Sequence, residues 1–196
     1  MAWLSHEQMT AMGFASFGSD VLLSDKASYY NCQNIRLGNN VRIDDFCVLS
    51  AGAGGIDIGS YVHIAVFSSL IGAGKISLAD FCNISSRVSI YSSNDDYSGA
   101  AMTNPTLPSA LTQVHHADVK LECHVIIGAG SIILPNVLLE EGVAIGALSL
   151  VKSNCQAFGI YAGVPAKKMA ERSRDLLTRL PLLHDFEQNR NIGTVK

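Results

Sequence analysis

The sequence predicts an all-β fold, a parallel β-helix, and two features carry that prediction. The first is a six-residue repeat that is clear from Leu37 and strongest between Leu121 and Val151. In that last stretch the first position of each hexad is a large aliphatic residue and the fifth is Val or Ser. An α-helix repeats its apolar positions at about 3.6 residues and a plain strand at about 2, so neither fits. A period of six is typical of a coil whose sides are short strands joined by turns.

The second feature is the residue type at each position of the hexad. The first residue is expected to point into the coil and to stack on its equivalent in the next coil. The fifth also points inward, but near a corner, and is therefore small. The second is often glycine, which suits a tight corner or an unusual φ. The positions concerned are first slots Leu37, Ile43, Leu49, Ile58, Ile64, Leu70, Leu78, Ile84 and Ile90, fifth slots Val41, Cys47, Val62, Ser68, Cys82 and Val88, and second-slot glycines 38, 59, 128 and 146.

The chain before the loop divides into a helix and two groups of coils. Ser5 and Gln8 form a capping-box pattern that begins a short helix, and Gly13 is placed to end it. Residues 14–36 are predicted to form irregular coils and residues 37–95 regular ones. Glycine-rich breaks at 51–55 and 72–74 add a few residues at corners.

Residues 96–118 interrupt the hexads and are predicted to form a projecting loop, because they are polar and contain two prolines. Regular coils resume at 119–152. After Pro165, residues 166–179 are rich in helix formers and predict a short C-terminal helix that Pro181 ends or kinks. The predicted parts are therefore an N-terminal helix at 1–13, a β-helix domain at 14–163, and a helix and tail at 164–196.

Composition excludes several classes of protein. Lysine and arginine total 14 against 17 acidic residues, so no basic field for nucleic acid is present. We expect no membrane insertion, since no apolar run reaches membrane-spanning length, and no signal peptide, and we expect a cytoplasmic location. The five cysteines lack C-x-x-C spacing, which argues against a disulfide framework or a zinc site and favours reduced core thiols.

Three motifs lie in the C-terminal half of the chain: His124-Val-Ile-Ile-Gly-Ala-Gly-Ser-Ile-Ile-Leu-Pro-Asn-Val137, Ile145-Gly-Ala-Leu-Ser-Leu-Val151 and Tyr161-Ala-Gly-Val-Pro-Ala-Lys167. They resemble those of the hexapeptide-repeat acyltransferases, and the resemblance covers roughly residues 35–175. Four further motifs precede them: Arg42-Ile-Asp-Asp45, Tyr61-Val-His-Ile64, Ser85-Ser-Arg-Val-Ser-Ile-Tyr91 and Ser93-Asn-Asp-Asp-Tyr-Ser-Gly99. These are similar to motifs of sugar-modifying members from bacterial O-antigen and surface-polysaccharide gene clusters.

The resemblance implies a left-handed β-helix that assembles as a homotrimer, with each active site in a cleft between neighbours. It also implies acetyl-CoA as cosubstrate, lying along the coils with its nucleotide end towards the C-terminal coils, and no metal. The implied acceptor is a nucleotide-linked deoxysugar, acetylated on an amine or a hydroxyl.

The identity of the catalytic base stays open. In relatives that acetylate hydroxyls, a histidine occupies the sixth slot of the hexad before the loop, and here that residue is Asp95. Asp95 could itself be the base, or His63, which also occupies a sixth slot, could serve. An amine acceptor needs no strong base, and this favours N-acetylation with Asp95 and Asp96 orienting the amine. His115 and His116 are alternative bases, and His124 at a turn is expected to be structural.

Other residues are candidates for binding. Asn83, Arg87, Asn94 and Asp96 are candidates for substrate contact. The candidates for the CoA site are small residues, which would let pantetheine approach the backbone, lysines, which would contact phosphates, and the turn at Pro165. The small residues are Gly128, Ala129, Gly146 and Ala147, and the lysines are Lys152, Lys167 and Lys168.

Together these features predict an acetyl-CoA-dependent N-acetyltransferase acting on a nucleotide-linked amino-deoxysugar for surface-polysaccharide or lipopolysaccharide biosynthesis. The alternatives are O-acetylation of a sugar or glycan, acetylation of a small xenobiotic, and a non-enzymatic β-helix scaffold. The intact C-terminal motifs argue against a scaffold.

Overall fold

The computed structural model describes residues 2–193, without the side chains of His184 and residues 189–193, and forms a three-sided parallel β-solenoid. The N-terminal helix is α1 (His6–Ala11) and the C-terminal helix is α2 (Leu180–Gly193). In chain order the strands are β1 (Ser16–Phe17), β2 (Leu22–Leu23), β3 (Ser28–Tyr30), β4 (Ile35–Leu37), β5 (Arg42–Ile43), β6 (Val48–Ala51), β7 (Ile56–Ile58), β8 (His63–Ile64), β9 (Ser69–Gly72), β10 (Ile76–Leu78), β11 (Asn83–Ile84), β12 (Ser89–Tyr91), β13 (Ser93–Asn94), β14 (His115–His116), β15 (Val119–Leu121), β16 (Ile126–Ile127), β17 (Ile132–Ile133), β18 (Val137–Leu139), β19 (Ala144–Ile145), β20 (Leu150–Val151), β21 (Gly159–Gly163) and β22 (Ala166–Glu171).

Each coil contributes one strand to each of three parallel sheets, which we call the first, second and third faces. The first face has the order β1-β4-β7-β10-β15-β18. The second has the order β2-β5-β8-β11-β16-β19-β21-β22, and the third contains β3, β6, β9, β12, β17 and β20. The first corner joins the first and second faces, the second corner joins the second and third, and the third corner leads to the next coil.

The core consists of the inward columns that the hexads predict. On the second face Ile43, Ile64, Ile84, Ile127 and Ile145 are in register and at most 3% exposed. The predicted fifth-slot residues are also buried, and at the second corner they include serines whose hydroxyls bond to backbone atoms of neighbouring coils. Burying such aliphatic side chains contributes about 1.5–3 kcal/mol each, so the stacked columns hold the solenoid together.

Four of the five cysteines lie in this core, as predicted, and all five thiols are free. Burial raises the pKa of the Cys47 thiol to about 11 and that of Cys82 to about 12. These thiols are therefore protonated and act as small apolar side chains.

At the corners, residues in the fourth slot, rather than those in the second, have a left-handed backbone conformation. Asn40, Tyr61, Phe81 and His124 at the first corner have φ between 54° and 64°. The second-slot glycines are needed for close approach instead: a β-carbon on Gly128 would lie 2.5 Å from the backbone N of Ala147. The expectation of an unusual φ at the second slot is therefore wrong, although the tight corner is confirmed.

Rings in fourth slots stack from coil to coil along the corners. Tyr61 and Phe81 have centroids 5.2 Å apart, and Phe81 and His124 are 4.8 Å apart with ring planes 3° from parallel. At the second corner Phe46 stacks on Phe67 at 5.0 Å. These contacts join residues in successive coils and offset the cost of the left-handed backbone.

The N-terminal helix and the loop match their predictions. Ser5 and Gln8 form a reciprocal capping box, and Gly13 has a φ of +74° just after the helix. The loop leaves from the third corner, and its base is closed by the antiparallel pair β13 and β14.

The prediction of a helix over 166–179 is wrong. Residues 166–171 form β22, which pairs antiparallel with β21, and residues 175–179 form a 3₁₀ turn. Hydrogen bonding to β21 overrides the helical propensity of this segment. The short C-terminal helix is present but begins at Leu180, so Pro181 lies in its first turn and neither ends nor kinks it. Residues 194–196 of the predicted tail lie outside the described residues.

Candidate functional site

The structure places the candidate residues in two separate regions of the prism. His63 and Asn83 point outward from adjacent strands of the second face, in register with each other. Asp95 and His116 lie at the base of the loop on the third corner, which is opposite the second face. One chain therefore does not bring His63 and Asp95 together across the prism.

A polar network surrounds His63 on the second face. Its Nε2 atom lies 2.9 Å from Oδ2 of Asp44, and its Nδ1 atom lies 3.3 Å from Oδ1 of Asn83. Arg42 donates from Nε to the other oxygen of Asp44 at 2.7 Å, and its guanidinium lies over the ring of Trp3. The network orients the imidazole and leaves its side chain 40% exposed.

Asp44 is the buried centre of this network. Partial burial raises its pKa, but hydrogen bonds and charges from His63 and Arg42 outweigh burial and hold the pKa below its usual value. The carboxylate is therefore ionised at neutral pH. Sequence reasoning selected His63 but missed this partner. The available signal was the spacing of one coil, since Arg42 and His63 occupy the same slot in successive coils and Asp44 lies two residues after Arg42.

An open cleft of about 370 Å³ lies where the loop meets the third face. Asp95 lines it with Asn94 and Ser93, together with the rings of Tyr91 and Tyr97. Asp95 is exposed, and Tyr97 is 87% exposed. A carboxylate in a cleft that aromatic rings also line can bind a cationic group attached to a flat or apolar ring system.

Asp96 differs from its neighbour because its carboxylate is bonded to its own loop. Oδ1 accepts from the backbone N–H of Ser98 at 2.9 Å, and Oδ2 accepts from that of Ala101 at 3.0 Å. Hydrogen bonding with the Ser98 side chain, and then with these backbone N–H groups, lowers the pKa of Asp96. The geometry gives Asp96 a capping role in the loop, whereas its predicted role in substrate binding stays a prediction.

His116 is held by a serine. The hydroxyl of Ser93 lies 2.7 Å from Nδ1 of His116 and accepts from the backbone N–H of Ala73 at 2.7 Å. Because Ser93 already accepts from Ala73, it can direct its own proton to Nδ1, which then cannot act as a base. His115 lies beside it, opposite Asn94 in the β13–β14 pair, and is exposed.

His124 is structural, as expected. It occupies a fourth slot, its ring stacks on Phe81, and its carbonyl accepts from Nη1 of Arg172 at 2.8 Å. Burial lowers the pKa of His124. Arg87 also occupies a fourth slot, with its guanidinium 5.0 Å from the centroid of the Phe67 ring.

The small residues predicted to contact CoA meet at the second corner. Gly128 and Ala129 lie directly beside Gly146 and Ala147 of the next coil, and both alanines are exposed. The β21–β22 turn with Pro165 follows in the last coil, where the N–H of Gly163 donates to Ser149. These residues form a strip of nearly bare backbone along the second corner.

The three predicted lysines do not all lie together. Lys167 and Lys168 are on β22, and Lys168 makes an ion pair of 2.6 Å with Glu171 that raises its pKa. Lys152 follows β20, at the third corner, and is exposed. The structure therefore brings the small residues together but not all three lysines.

A curated relative shares most of this chain. The sequence is 60% identical over 177 residues, or 90% of this chain and 92% of the relative, to dTDP-4-amino-4,6-dideoxy-D-glucose acyltransferase from Escherichia coli. The chain belongs to the hexapeptide-repeat acyltransferase family. The predictions of a β-helix fold and of acyltransferase activity are thus confirmed. No family model matches the sequence.

Solved structures of a second member of this acyltransferase family agree with that relationship. AntD, an N-acyltransferase from Bacillus cereus, superposes with a TM-score of 0.89 and 46% identity, over 96% of this chain and 100% of that one, in a complex with dTDP and coenzyme A. A further AntD complex, which contains dTDP-4-amino-4,6-dideoxyglucose and coenzyme A, has a TM-score of 0.88 and 46% identity, covering 96% of this chain and 98% of that one. The two crystals contain variants of one aspartate and one serine, respectively.

Within the part of the chain that the structure describes, no group of three His, Cys, Asp or Glu side chains could hold a metal ion. Among the same residues, no helix combines the length and apolar character needed to cross a bilayer.

Proposed function

We propose that this protein transfers an acyl group from acyl-CoA to the 4-amino group of dTDP-4-amino-4,6-dideoxy-D-glucose. The observation that carries the proposal is the 60% identity to the Escherichia coli acyltransferase named for that sugar, over 90% of this chain. The AntD complex with the same sugar nucleotide and coenzyme A supports it.

The loop cleft supports an amine acceptor. The exposed carboxylate of Asp95 can hold the sugar ammonium or amine, while Tyr91 and Tyr97 offer flat apolar surfaces to a sugar or a base. A sugar amine is already nucleophilic as its free base, so a positioning carboxylate is sufficient to prepare it for attack, where a hydroxyl would first require an alkoxide. This accounts for an aspartate at the position where hydroxyl-acetylating relatives have a histidine.

The reaction requires one bond to form and one to break. The amine nitrogen attacks the thioester carbonyl, the N–C bond forms, and the C–S bond breaks to release CoA. One proton leaves the nitrogen and reaches the thiolate. Backbone N–H groups or side chains near the carbonyl would stabilise the developing oxyanion.

We place acyl-CoA along the second corner, on the strip formed by Gly128, Ala129, Gly146 and Ala147. Its nucleotide end would lie near Pro165, Lys167 and Lys168, and Asn83 and Arg87 lie further along in the direction of His63. Acetyl is the acyl group that we expect. Because AntD was also crystallised with 3-hydroxybutyryl-CoA, longer acyl groups belong in any test of donors.

We also propose a homotrimer whose sites lie between protomers. Outward side chains on the first face include an ion-pair ladder in which Asp57 contacts Arg36 at 3.3 Å and Lys75 at 2.6 Å. Among the described strands, those of the third face carry no charged side chain. An uncharged face next to the second face suits contact with a neighbour, and a neighbour can supply the Asp95 that this chain holds on the opposite side.

The product would serve surface-polysaccharide synthesis, and the cytoplasm is the compartment that we expect.

The proposed N-acylation is tested by measuring thiol release from acetyl-CoA with dTDP-4-amino-4,6-dideoxy-D-glucose. The control acceptor is the same sugar nucleotide with a hydroxyl in place of the amine. We expect turnover with the amine alone. Turnover with the hydroxyl compound alone would overturn N-acylation and indicate an O-acetyltransferase with His63 or His116 as base.

A further inference from the structure

The two ring nitrogens of His63 have unequal surroundings. Nε2 faces Asp44, whose side chain is only 7% exposed, at 2.9 Å. Nδ1 lies on the solvent side, 3.3 Å from the side-chain oxygen of the exposed Asn83. The carboxylate is held on its other oxygen by Arg42 at 2.7 Å, so it cannot rotate away without losing an ion pair.

These contacts determine which nitrogen carries the proton. An ionised carboxylate only accepts hydrogen bonds, so the 2.9 Å contact requires a proton on Nε2. In the neutral ring Nδ1 then has a free lone pair. Asn83 can donate to that lone pair through its amide NH₂, or accept through its oxygen when the ring is protonated, because the amide can rotate between the two. Asn83 can therefore form a hydrogen bond with Nδ1 whether or not that nitrogen carries a proton.

We propose that Asp44 is a positioning residue, which holds His63 in the Nε2-protonated form so that Nδ1 accepts the proton of the acceptor amine. The inference rests on the proposed function. As the N–C bond forms, the amine proton moves to Nδ1 and gives an imidazolium that Asp44 stabilises. That proton then passes to the departing thiolate, which regenerates neutral His63 and leaves CoA as the thiol.

The place of His63 in the fold agrees with this role. It lies on the second face, two coils before Gly128 and Ala129 of the second-corner strip, whereas Asp95 faces away from it in the same chain. Asp95 of a neighbouring protomer would hold the amine, and His63 would accept the proton from the other side. Asp44 contacts no substrate in this scheme and acts only through the imidazole.

A double-mutant cycle tests whether Asp44 acts through His63. With the amino-sugar acceptor, His63→Gln is expected to lower kcat by about 100-fold and Asp44→Asn by at least about 10-fold, with the KM for acetyl-CoA unchanged. The Asp44→Asn/His63→Gln protein is expected to be no slower than His63→Gln alone. Losses that multiply in the double variant, or an Asp44→Asn protein with unchanged kcat, would overturn the proposal.

The matched control is Asp57→Asn. Asp57 is also a carboxylate that contacts two basic side chains, with a pKa that burial raises but that Lys75 and Arg36 lower overall, and it faces outward on the first face. The kcat of the Asp57→Asn protein is expected to equal that of the unmodified protein. Melting temperatures and CoA binding of all variants separate loss of chemistry from loss of folding.

A second readout needs no turnover. With ¹⁵N-labelled histidine, the ring nitrogens of His63 are expected at alkaline pH to show the Nε2–H form in the unmodified protein and a mixture of forms in Asp44→Asn, with His63→Gln providing the assignment. An Nδ1–H form in the unmodified protein would contradict the inference. If the enzyme fails to turn over the amino sugar, the proposed function is wrong, while this spectrum still decides whether Asp44 sets the tautomer.

Discussion

At the scale of single residues, two adjacent aspartates are expected to have different tasks. Asp95 is exposed in the loop cleft, while both oxygens of Asp96 accept hydrogen bonds from backbone N–H groups of the loop. The two side chains have the same chemistry, so their surroundings alone decide which of them can reach the amine.

Asp95→Asn is expected to lower kcat/KM for the amino sugar by about 100-fold, because the amide keeps the shape but loses the charge that holds the ammonium. Steady-state kinetics against both substrates check this. Asp96→Asn, the matched control in the same loop, is expected to cost far less activity. Equal losses from both variants would assign the effect to loop order rather than to contact with the amine.

His124 predicts a pH-dependent contribution to stability. Burial lowers its pKa in the folded protein, and the charge of Arg172 lowers it too, while Glu141 and Asp80 oppose the shift. The unfolded chain binds the proton more readily, so this contribution is present above an ordinary pKa of about 6.5 and is lost as the pH falls through that value.

His124→Phe keeps the stack on Phe81 without the titration, and phenylalanine already occupies the same slot at Phe46, Phe67 and Phe81. The free energy of unfolding of the unmodified protein is therefore expected to fall relative to that of His124→Phe between about pH 8 and about pH 5. Denaturant titrations at several pH values measure this difference. A difference independent of pH would contradict the pKa shift.

At the scale of elements, the C-terminal hairpin is secured by one arginine. Nη1 of Arg172 donates to the carbonyls of His124 at 2.8 Å and Gly142 at 2.9 Å, which belong to two successive coils. Arg174 lies over the ring of Phe158, 4.1 Å from its centroid. The strand β22 is thereby tied to the first corner as well as to β21.

Arg172→Ala is expected to cost about 1.5–3 kcal/mol of unfolding free energy, since two carbonyls lose a charged donor. Thermal unfolding should show a decrease in Tm of several degrees, at about 2–4 °C per kcal/mol for a chain of this size. The exposed Arg179→Ala is the control and is expected to leave Tm unchanged. A similar Tm for both variants would show that the hairpin does not depend on the hydrogen bonds of Arg172.

Elements that depend on a residue pattern local in the sequence could be predicted. The inward columns follow from aliphatic residues at first and fifth slots, and the N-terminal helix follows from the capping box at Ser5. Elements that depend on contacts between coils could not be predicted in this way. The left-handed aromatic corners depend on stacking between coils, and residues 166–171 form a strand because β21 offers them hydrogen bonds that outweigh their helical propensity.

The candidate site was predictable to the same extent. His63 and Asp95 stand out by slot and by comparison with the family pattern. Asp44 did not, because its contact with His63 exists only after one coil is stacked on the next, as does the bond between Ser93 and His116. His63 and Asp95 face away from each other because the solenoid has a three-sided cross-section. The sequence motifs that contain them do not show this.

At the scale of the whole molecule, the faces of the prism predict how it assembles. The first face carries the ladder of Arg36, Asp57 and Lys75, whereas Ile132 is 39% exposed on the uncharged third face. Charged ladders suit solvent, and an exposed aliphatic side chain on an uncharged face suits a protein contact.

Ile132→Glu is therefore expected to dissociate the proposed trimer, because it places a charge against an apolar partner surface. Sedimentation equilibrium measures the mass, which should fall from three times to once the 20.9 kDa chain mass. Leu138→Glu is the matched control on the first face, where the register partner is Lys120. An unmodified protein that sediments as a single chain would contradict the trimer.

The structure of the reaction product tests N-acylation of the sugar most directly. The protein is incubated with acetyl-CoA and dTDP-4-amino-4,6-dideoxy-D-glucose, and the product is examined by mass spectrometry and by NMR correlations from the acetyl carbonyl. We expect one added acetyl group in an amide at the C4 nitrogen. An acetyl group on a ring hydroxyl, with the amine left free, would contradict it.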